Sequence, residues 1–495
     1  MSVLYELAGG FASAVTPWNL VMCFAGVFAG QLVGALPGIG PSSAIALLLP
    51  LTFGADPTSA IILFAGIYYG AQYGGTLTSV LISVPGEPSS VMTSIDGYQM
   101  ALQGKAGVAL GIAAIGSFIA GTISTIGLML LAPPLARAAL AFGPPEYFSL
   151  VVLGLTALAA VGGSVLKGLT AGMFGLLVST IGVDQQTGVA RFAFDRVWLL
   201  DGIGFIVLTV ALFGIGEVLS SVGMASVQPI TKVSGVLPSR EEWRRSRLPI
   251  LRGSAIGFLI GVLPATGATI ASFVAYIVEK KLARDPSRFG RGAIEGVAGP
   301  ESSNNAAAAG AMVPMLALGV PGSGTTAIIL GALIMFGIRP GPELFEKNAQ
   351  LVWTVIASMY IGNLILLVMN LPLAGLFARL LRVPYSWLYP PILALCVAGV
   401  YSQANSIEDV WMLLGFGALG WAMMRYDWPA APMILGLVLG TIFENSLRQS
   451  LTLSHGSASI FFTRPISAVL LAAAALALIT PPALRLRRRW IASRA

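Results

Sequence analysis

Apolar runs follow one another from end to end of this chain, separated by short polar stretches. They cover residues 18–36, 40–54, 58–76, 106–132, 145–161, 165–182, 202–220, 250–264, 266–280, 296–317, 350–378, 386–401, 408–424, 429–446 and 465–482. Runs of roughly 17–25 apolar residues suit helices in lipid, where every backbone group must find its partner inside the segment. A transmembrane barrel would instead show short segments of alternating polarity. The pattern predicts an all-α, polytopic integral membrane protein.

Composition agrees. Of 495 residues, 56% are hydrophobic and 10% charged, with a mean hydropathy of +0.85; a soluble domain carries about 25% charged residues. Gly 59 and Pro 30 point to closely packed and broken helices. The first twenty residues carry no basic segment, so a cleaved signal peptide is not expected.

Two apolar runs are interrupted in the same way. "SVPGEPSSVMTS" begins at Ser83 and "GVPGSGTTAIIL" at Gly319, 236 residues later (319 − 83). Pro85 and Pro321 each remove a backbone donor and clash with the preceding turn. Gly86 and Gly322 then let the chain fold back. A second pair precedes them: "GALPGIGPSSA" from Gly34 and "GVLPATGATIA" from Gly261, both Gly-X-Leu-Pro-X-X-Gly between apolar runs. Two motifs in the same order in both halves mark an internal repeat. The expected organisation is a first membrane repeat at 18–220 with a re-entrant hairpin at about 76–104, and a basic linker at 221–249. A second repeat at 250–446 follows, with a hairpin at about 318–340, then a final helix and basic tail at 447–495.

Charge sets the orientation. The stretch 221–255, the linker and the start of the second repeat, carries Lys232, Arg240, Arg244, Arg245, Arg247 and Arg252, and the tail "LRLRRRWIASRA" five more basic residues. Basic loops stay cytoplasmic. Walking the crossings with an external N-terminus and a cytoplasmic C-terminus puts 21 of the 28 basic residues inside and 7 outside. The first Leu-Pro pair has uncharged flanks and the second basic ones, so the two repeats are expected to be inverted, as in many secondary transporters.

Broken helices persist in lipid only where the loosened backbone is buried in protein or lines a wet cavity. A half-helix starting at each break would present free N–H groups and a partial positive charge, which suits an anion near the midplane. The candidate substrate site is therefore Pro85, Gly86, Ser89 and Ser90 with Pro321, Gly322, Ser323, Thr325 and Thr326, together with Asn304 and Asn305 from "GPESSNNAAAAG". The two amides either bond substrate, bond a cation through their carbonyls, or hold helices together. Glu301 is either a member of this site or a loop acid at the membrane edge. Tyr69, Gln72, Tyr73 and Thr76 share one helical face, which either lines the cavity or belongs to an interfacial tyrosine belt.

"GALPGIGPSSAIALLLPLTF", "YYGAQYGGTLTSVLISVPGEPSSVMTSIDGYQMALQGKAGVAL" and "GPESSNNAAAAGAMVPMLALGVPGSGTTAIILGALIMFGIRPGPELF" resemble the large membrane subunit of tripartite tricarboxylate transporters, over roughly residues 18–445. The resemblance implies a secondary carrier of the bacterial inner membrane, with a small membrane subunit and a periplasmic solute-binding protein as partners. It implies organic carboxylates as substrates and sodium as coupling ion. Gly38, Gly40, Ser42, Thr266 and Ser303 are candidate sodium ligands, with Glu87 and Glu301 as proton carriers should protons drive uptake instead. Neither hairpin tip carries a Lys or Arg; the nearest is Arg339.

Other classes lack their chemistry. Cys23 and Cys396 lie in separate apolar runs, which suits buried thiols. His455 is the sole histidine, so no zinc motif or Ser-His arrangement can be drawn. No P-loop is present for a pump, and inverted broken hairpins favour a carrier over a channel. No cofactor is expected beyond the ion.

Overall fold

The computed structural model describes residues 3–36, 40–161, 164–184, 186–221, 233, 235–264, 267–372, 376 and 389–492. The first half holds α1 (Val3–Ala14), α2 (Pro17–Gly34), α3 (Pro41–Leu48), α4 (Pro57–Ile82), α5 (Val91–Leu102), α6 (Ala106–Ala139), α7 (Pro144–Val161) and α8 (Val165–Ser179). After a two-residue ribbon (Gly182–Val183 with Ala190–Arg191) come α9 (Phe205–Val210) and α10 (Gly216–Ser221), joined through a π-helical turn at Ala211–Ile215. The second half holds α11 (Arg240–Val262), α12 (Gly267–Leu282), α13 (Glu295–Leu318), α14 (Gly324–Met335), α15 (Pro342–Lys347), α16 (Ala349–Asn370), α17 (Tyr389–Ala404), α18 (Ile407–Arg425) and α19 (Ala431–Leu453). A short α20 (Ile460–Thr463) and α21 (Pro465–Ala492) end the chain. Among the described residues four helices, α2, α6, α16 and α18, are long and apolar enough to cross a membrane.

Local signals explain the boundaries. Pro17, Pro41 and Pro57 open α2, α3 and α4 at the first turn, where a missing N–H costs nothing. Asp56 caps α4 by accepting from Ser59 N–H at 3.0 Å. The helix of the second half starts earlier than its apolar run. Ser239 and Glu242 form a reciprocal capping box, and the basic stretch from Arg240 becomes the first turns of α11 rather than a loop.

Matching glycine stripes pair the helices in both halves. A Cβ at Gly26, Gly30 or Gly34 of α2 would collide with the carbonyls of Leu63, Ile67 and Ala71 on α4. At Gly253, Gly257 and Gly261 of α11 it would collide with those of Gly299, Ser303 and Ala307 on α13. Both stripes are Gly-x3-Gly-x3-Gly, which lets backbones approach closely where no hydrophobic effect drives association. The partner carbonyls are again 236 residues apart (299 − 63), the offset of the two breaks.

The halves clasp each other reciprocally. Helix α6 packs on α13, and α16 packs on α4; α3 lies against α14, and α12 against the first break and α5. Helices α4 and α13, buried along nearly their whole length, form the centre. Helices α7, α8, α19 and α21 pack on one another outside it.

Candidate functional site

The two breaks have the same backbone plan. Helix α4 ends at Ser83, which takes a left-handed conformation (φ 57°), and α13 ends at Gly319 (φ 72°), the residue 236 positions on. Val-Pro-Gly follows in each. Neither Gly86 nor Gly322 has positive φ among the described residues, so they are not glycines for the sake of the turn. Space requires them. A Cβ on Gly86 would collide with the Gly34 carbonyl and lie 2.7 Å from Gly75 Cα; one on Gly322 would lie 2.6 Å from Ala311 Cα. Each break is thus wedged against its own repeat.

The chain then restarts differently. After the first break, a 3-10 turn (Pro88–Ser90) leads into α5. Ser90 Oγ is held by the Glu87 carbonyl at 2.9 Å and by Ser79 at 2.9 Å. After the second, Ser323 caps α14 with a full capping box to Thr326. This occupies the N–H groups of Ser323 and Thr326, and leaves those of Gly324 and Thr325 with no acceptor inside the helix.

One cavity of about 370 Å³ is lined by Glu87, Pro88 and Ser89 of the first break and by Ser323, Gly324 and Thr325 of the second. The starts of both second helices of the Leu-Pro pairs, Gly40–Ser43 and Gly267–Thr269, complete it with Tyr68, Gln72, Leu158, Phe213 and Glu217. Cross-half hydrogen bonds hold its walls. Ser42 Oγ and Thr325 Oγ1 are 3.1 Å apart, and Tyr68 Oη and Ser323 Oγ are 3.0 Å apart. Ser89 Oγ donates to Gln72 Oε1 at 2.8 Å and also contacts the Glu87 carboxyl. Among the described residues no basic side chain lines this cavity, while two acids do.

The other candidate residues sit around rather than in it. Pro85, Gly86, Ser90, Pro321, Gly322 and Thr326 belong to the two breaks but do not line the cavity. Asn304, Asn305 and Ser303 are buried in α13. Among the described residues, neither amide atom of Asn304, nor Asn305 Nδ2, nor Ser302 and Ser303 Oγ has a hydrogen-bond partner. Gly38 and Thr266 lie outside the described residues. Glu301 is fully buried, and accepts from Thr76 Oγ1 and, at 3.0 Å, Thr93 Oγ1; it is not a loop acid. The aromatic face is displaced by one position. Tyr68 and Gln72 line the cavity, whereas Tyr69 reaches the Ser358 carbonyl and Tyr73 the Leu110 carbonyl. All three tyrosines are buried, which removes the belt reading. Arg339 lies elsewhere, in a cavity of about 560 Å³ with Tyr147, Asn445 and Gln449. Glu217 was not anticipated from sequence. Its signal was a lone acid inside the apolar run "FGIGEVLSS", just past a π turn.

A helical membrane chain whose two broken helices meet at one cavity has the architecture of a carrier. The family model of the tripartite tricarboxylate transporter TctA family matches residues 20–435, so the chain belongs to that family, whose members are transporter components. It is 46% identical over 493 residues, 99% of this chain and 98% of the other, to an uncharacterized 52.8 kDa protein in the TAR-I ttuC′ 3′ region of Agrobacterium vitis. It is 47% identical over 215 residues, 43% of this chain and 89% of the other, to an uncharacterized protein in the TAR-II ttuC′ 3′ region of the same organism. No solved structure matches the chain.

Proposed function

We propose that this chain is the large membrane subunit of a binding-protein-dependent secondary transporter that imports organic carboxylates, such as tricarboxylates and dicarboxylates, with sodium as coupling ion. The observation that carries the reading is the single cavity shared by both breaks and both Leu-Pro pairs. Its volume falls in the range of small-ligand sites. Its donors for a carboxylate are the N–H groups of Gly324 and Thr325, which have no acceptor inside the helix, and the hydroxyls of Ser42, Ser323 and Thr325. A small membrane subunit and a periplasmic solute-binding protein complete the assembly in the inner membrane. The two repeats are inverted, with the N-terminus periplasmic and the C-terminus cytoplasmic; the reciprocal packing of the halves supports a two-fold relation between them.

The test is reconstitution of both membrane subunits in proteoliposomes, with radiolabelled citrate, succinate or benzoate presented on the external binding protein. Uptake is expected only with the binding protein and an inward sodium gradient. Uptake of free substrate at equal rate without it would replace this reading with a stand-alone carrier of the same fold.

A further inference from the structure

Two helices of the central cavity lead on to a second one. Helix α14 lines the central cavity at Gly324 and the cavity of about 560 Å³ at Ile334. Helix α7 lines the first at Leu158 and the second at Tyr147. These residues are ten and eleven positions apart (334 − 324 and 158 − 147), or roughly 15 and 16 Å at about 1.5 Å per residue. Both distances are about half of the ~30 Å hydrocarbon core, so a central cavity at mid-membrane puts the second near a surface. Helix α19 adds Asn445 and Gln449 to the second lining and ends at Leu453. The proposed orientation makes this end periplasmic.

The two cavities differ in charge. Acids and no described base line the central one, whereas Arg339 and Glu343 line the second. Glu343 is already engaged, by Lys347 one turn on at 2.7 Å. Acids next to other lining residues are engaged too: Glu146 by Arg464 and Glu444 by Arg191, each at 2.7 Å. Arg339 is exposed and, among the described residues, enters no ion pair. Its backbone is held in place. Gly337 and Gly341 flank it with φ of 74° and 109°. Ile338 N–H donates to the Leu333 carbonyl at 2.9 Å, and Gly341 N–H to the Leu316 carbonyl at 3.2 Å. The guanidinium thus stands on a turn pinned to α13 and α14. In the same lining, Asn445 Oδ1 accepts from Gln186 Nε2 at 2.9 Å, so what Asn445 offers a ligand is its N–H groups.

We propose that Arg339, Asn445, Gln449 and Tyr147 form an outer binding site for an organic carboxylate, distinct from the central cavity. A guanidinium fork takes a carboxylate through two parallel hydrogen bonds. The two amides and the phenol supply neutral donors for further oxygens. The role of the site rests on the carrier reading: it receives the anion before the anion enters the central cavity. An unpaired cation at the mouth concentrates anions there. The central cavity, with no described base, then binds through neutral donors alone and releases its anion readily.

The experiment uses the purified subunit in detergent and sodium chloride, without the binding protein. Two cysteine variants report. Thr441→Cys lies in the outer lining but outside the donor set, and Ser89→Cys lies in the central lining. Modification by a small hydrophilic thiol reagent is timed against citrate, succinate and benzoate in turn. At least one of these acids should slow both reactions. Adding Arg339→Gln should raise the half-protecting concentration at Thr441→Cys at least tenfold, the scale of a lost charged hydrogen bond, and leave that at Ser89→Cys unchanged. Protection of Ser89→Cys alone would overturn the outer site and leave the carrier reading standing, as would protection of Thr441→Cys that Arg339→Gln does not alter. Protection of Thr441→Cys alone would uphold the outer site and remove the central one. Equal protection of Thr441→Cys by sodium sulfate would reduce the site to one for an adventitious ion only, and so refute it. Protection that needs the ligand-free binding protein would refute it in favour of a docking contact with that protein.

Discussion

Ser83 and Gly319 hold the same left-handed position at the ends of two helices, but only one is a glycine. A left-handed residue with a side chain costs roughly 1–2 kcal/mol. Ser83→Gly should thus be neutral or stabilising by up to about 1 kcal/mol, and Gly319→Ala destabilising by a similar amount, as read from thermal unfolding in detergent. The break glycines behave differently because backbone atoms crowd them. Gly86→Val and Gly322→Val should abolish uptake while the protein still reaches the membrane at near-normal abundance; uptake at wild-type rate would mean the breaks can part without consequence. Asp96 gives a third case. It is fully buried and accepts from Tyr276 Oη at 2.9 Å and from the N–H groups of Gly290, Gly292 and Ala293 at 2.8–2.9 Å. This ties α5 to the entry of α13. Losing charge-assisted bonds and stranding donors costs several kcal/mol, so Asp96→Asn should lower the unfolding midpoint far more than Tyr276→Phe does.

At the level of elements, the apolar runs and the helices coincide closely, because lipid permits few alternatives to a helix. Both Val-Pro-Gly breaks were legible for a similar reason: proline and glycine act locally. Faces were less legible. Helix α4 is buried all round, so periodicity cannot say which of Tyr68 and Tyr69 meets the cavity. Helix α5 falls outside the apolar runs and is marked in the sequence only as the half-helix after the first break, because "VMTSIDGYQMAL" is short and mixed in polarity; the partners of Asp96 lie 180 or more residues away. The cross-half contacts offer a direct check. With the hydroxyls of Ser42 and Thr325 3.1 Å apart, a Ser42→Cys/Thr325→Cys pair should cross-link on mild oxidation, and reduction should reverse the link. Failure to cross-link would mean that α3 and α14 are not neighbours.

For the whole molecule, the proposed inversion predicts sidedness. Cysteines at Asp56 and Thr452 should label from outside intact cells, and those at Arg244 and Arg488 only after permeabilisation. Labelling of positions 56 and 244 from the same side would contradict inverted repeats. The central claim is that the two breaks share one substrate cavity. Its most direct test is substrate protection of single cysteines, Ser89→Cys on the first break and Thr325→Cys on the second, in proteoliposomes containing both membrane subunits. A small hydrophilic thiol reagent should modify both. The transported carboxylate, with sodium present, should slow both reactions, and a carboxylate that is not transported should slow neither. Protection of one cysteine without the other would contradict a shared site.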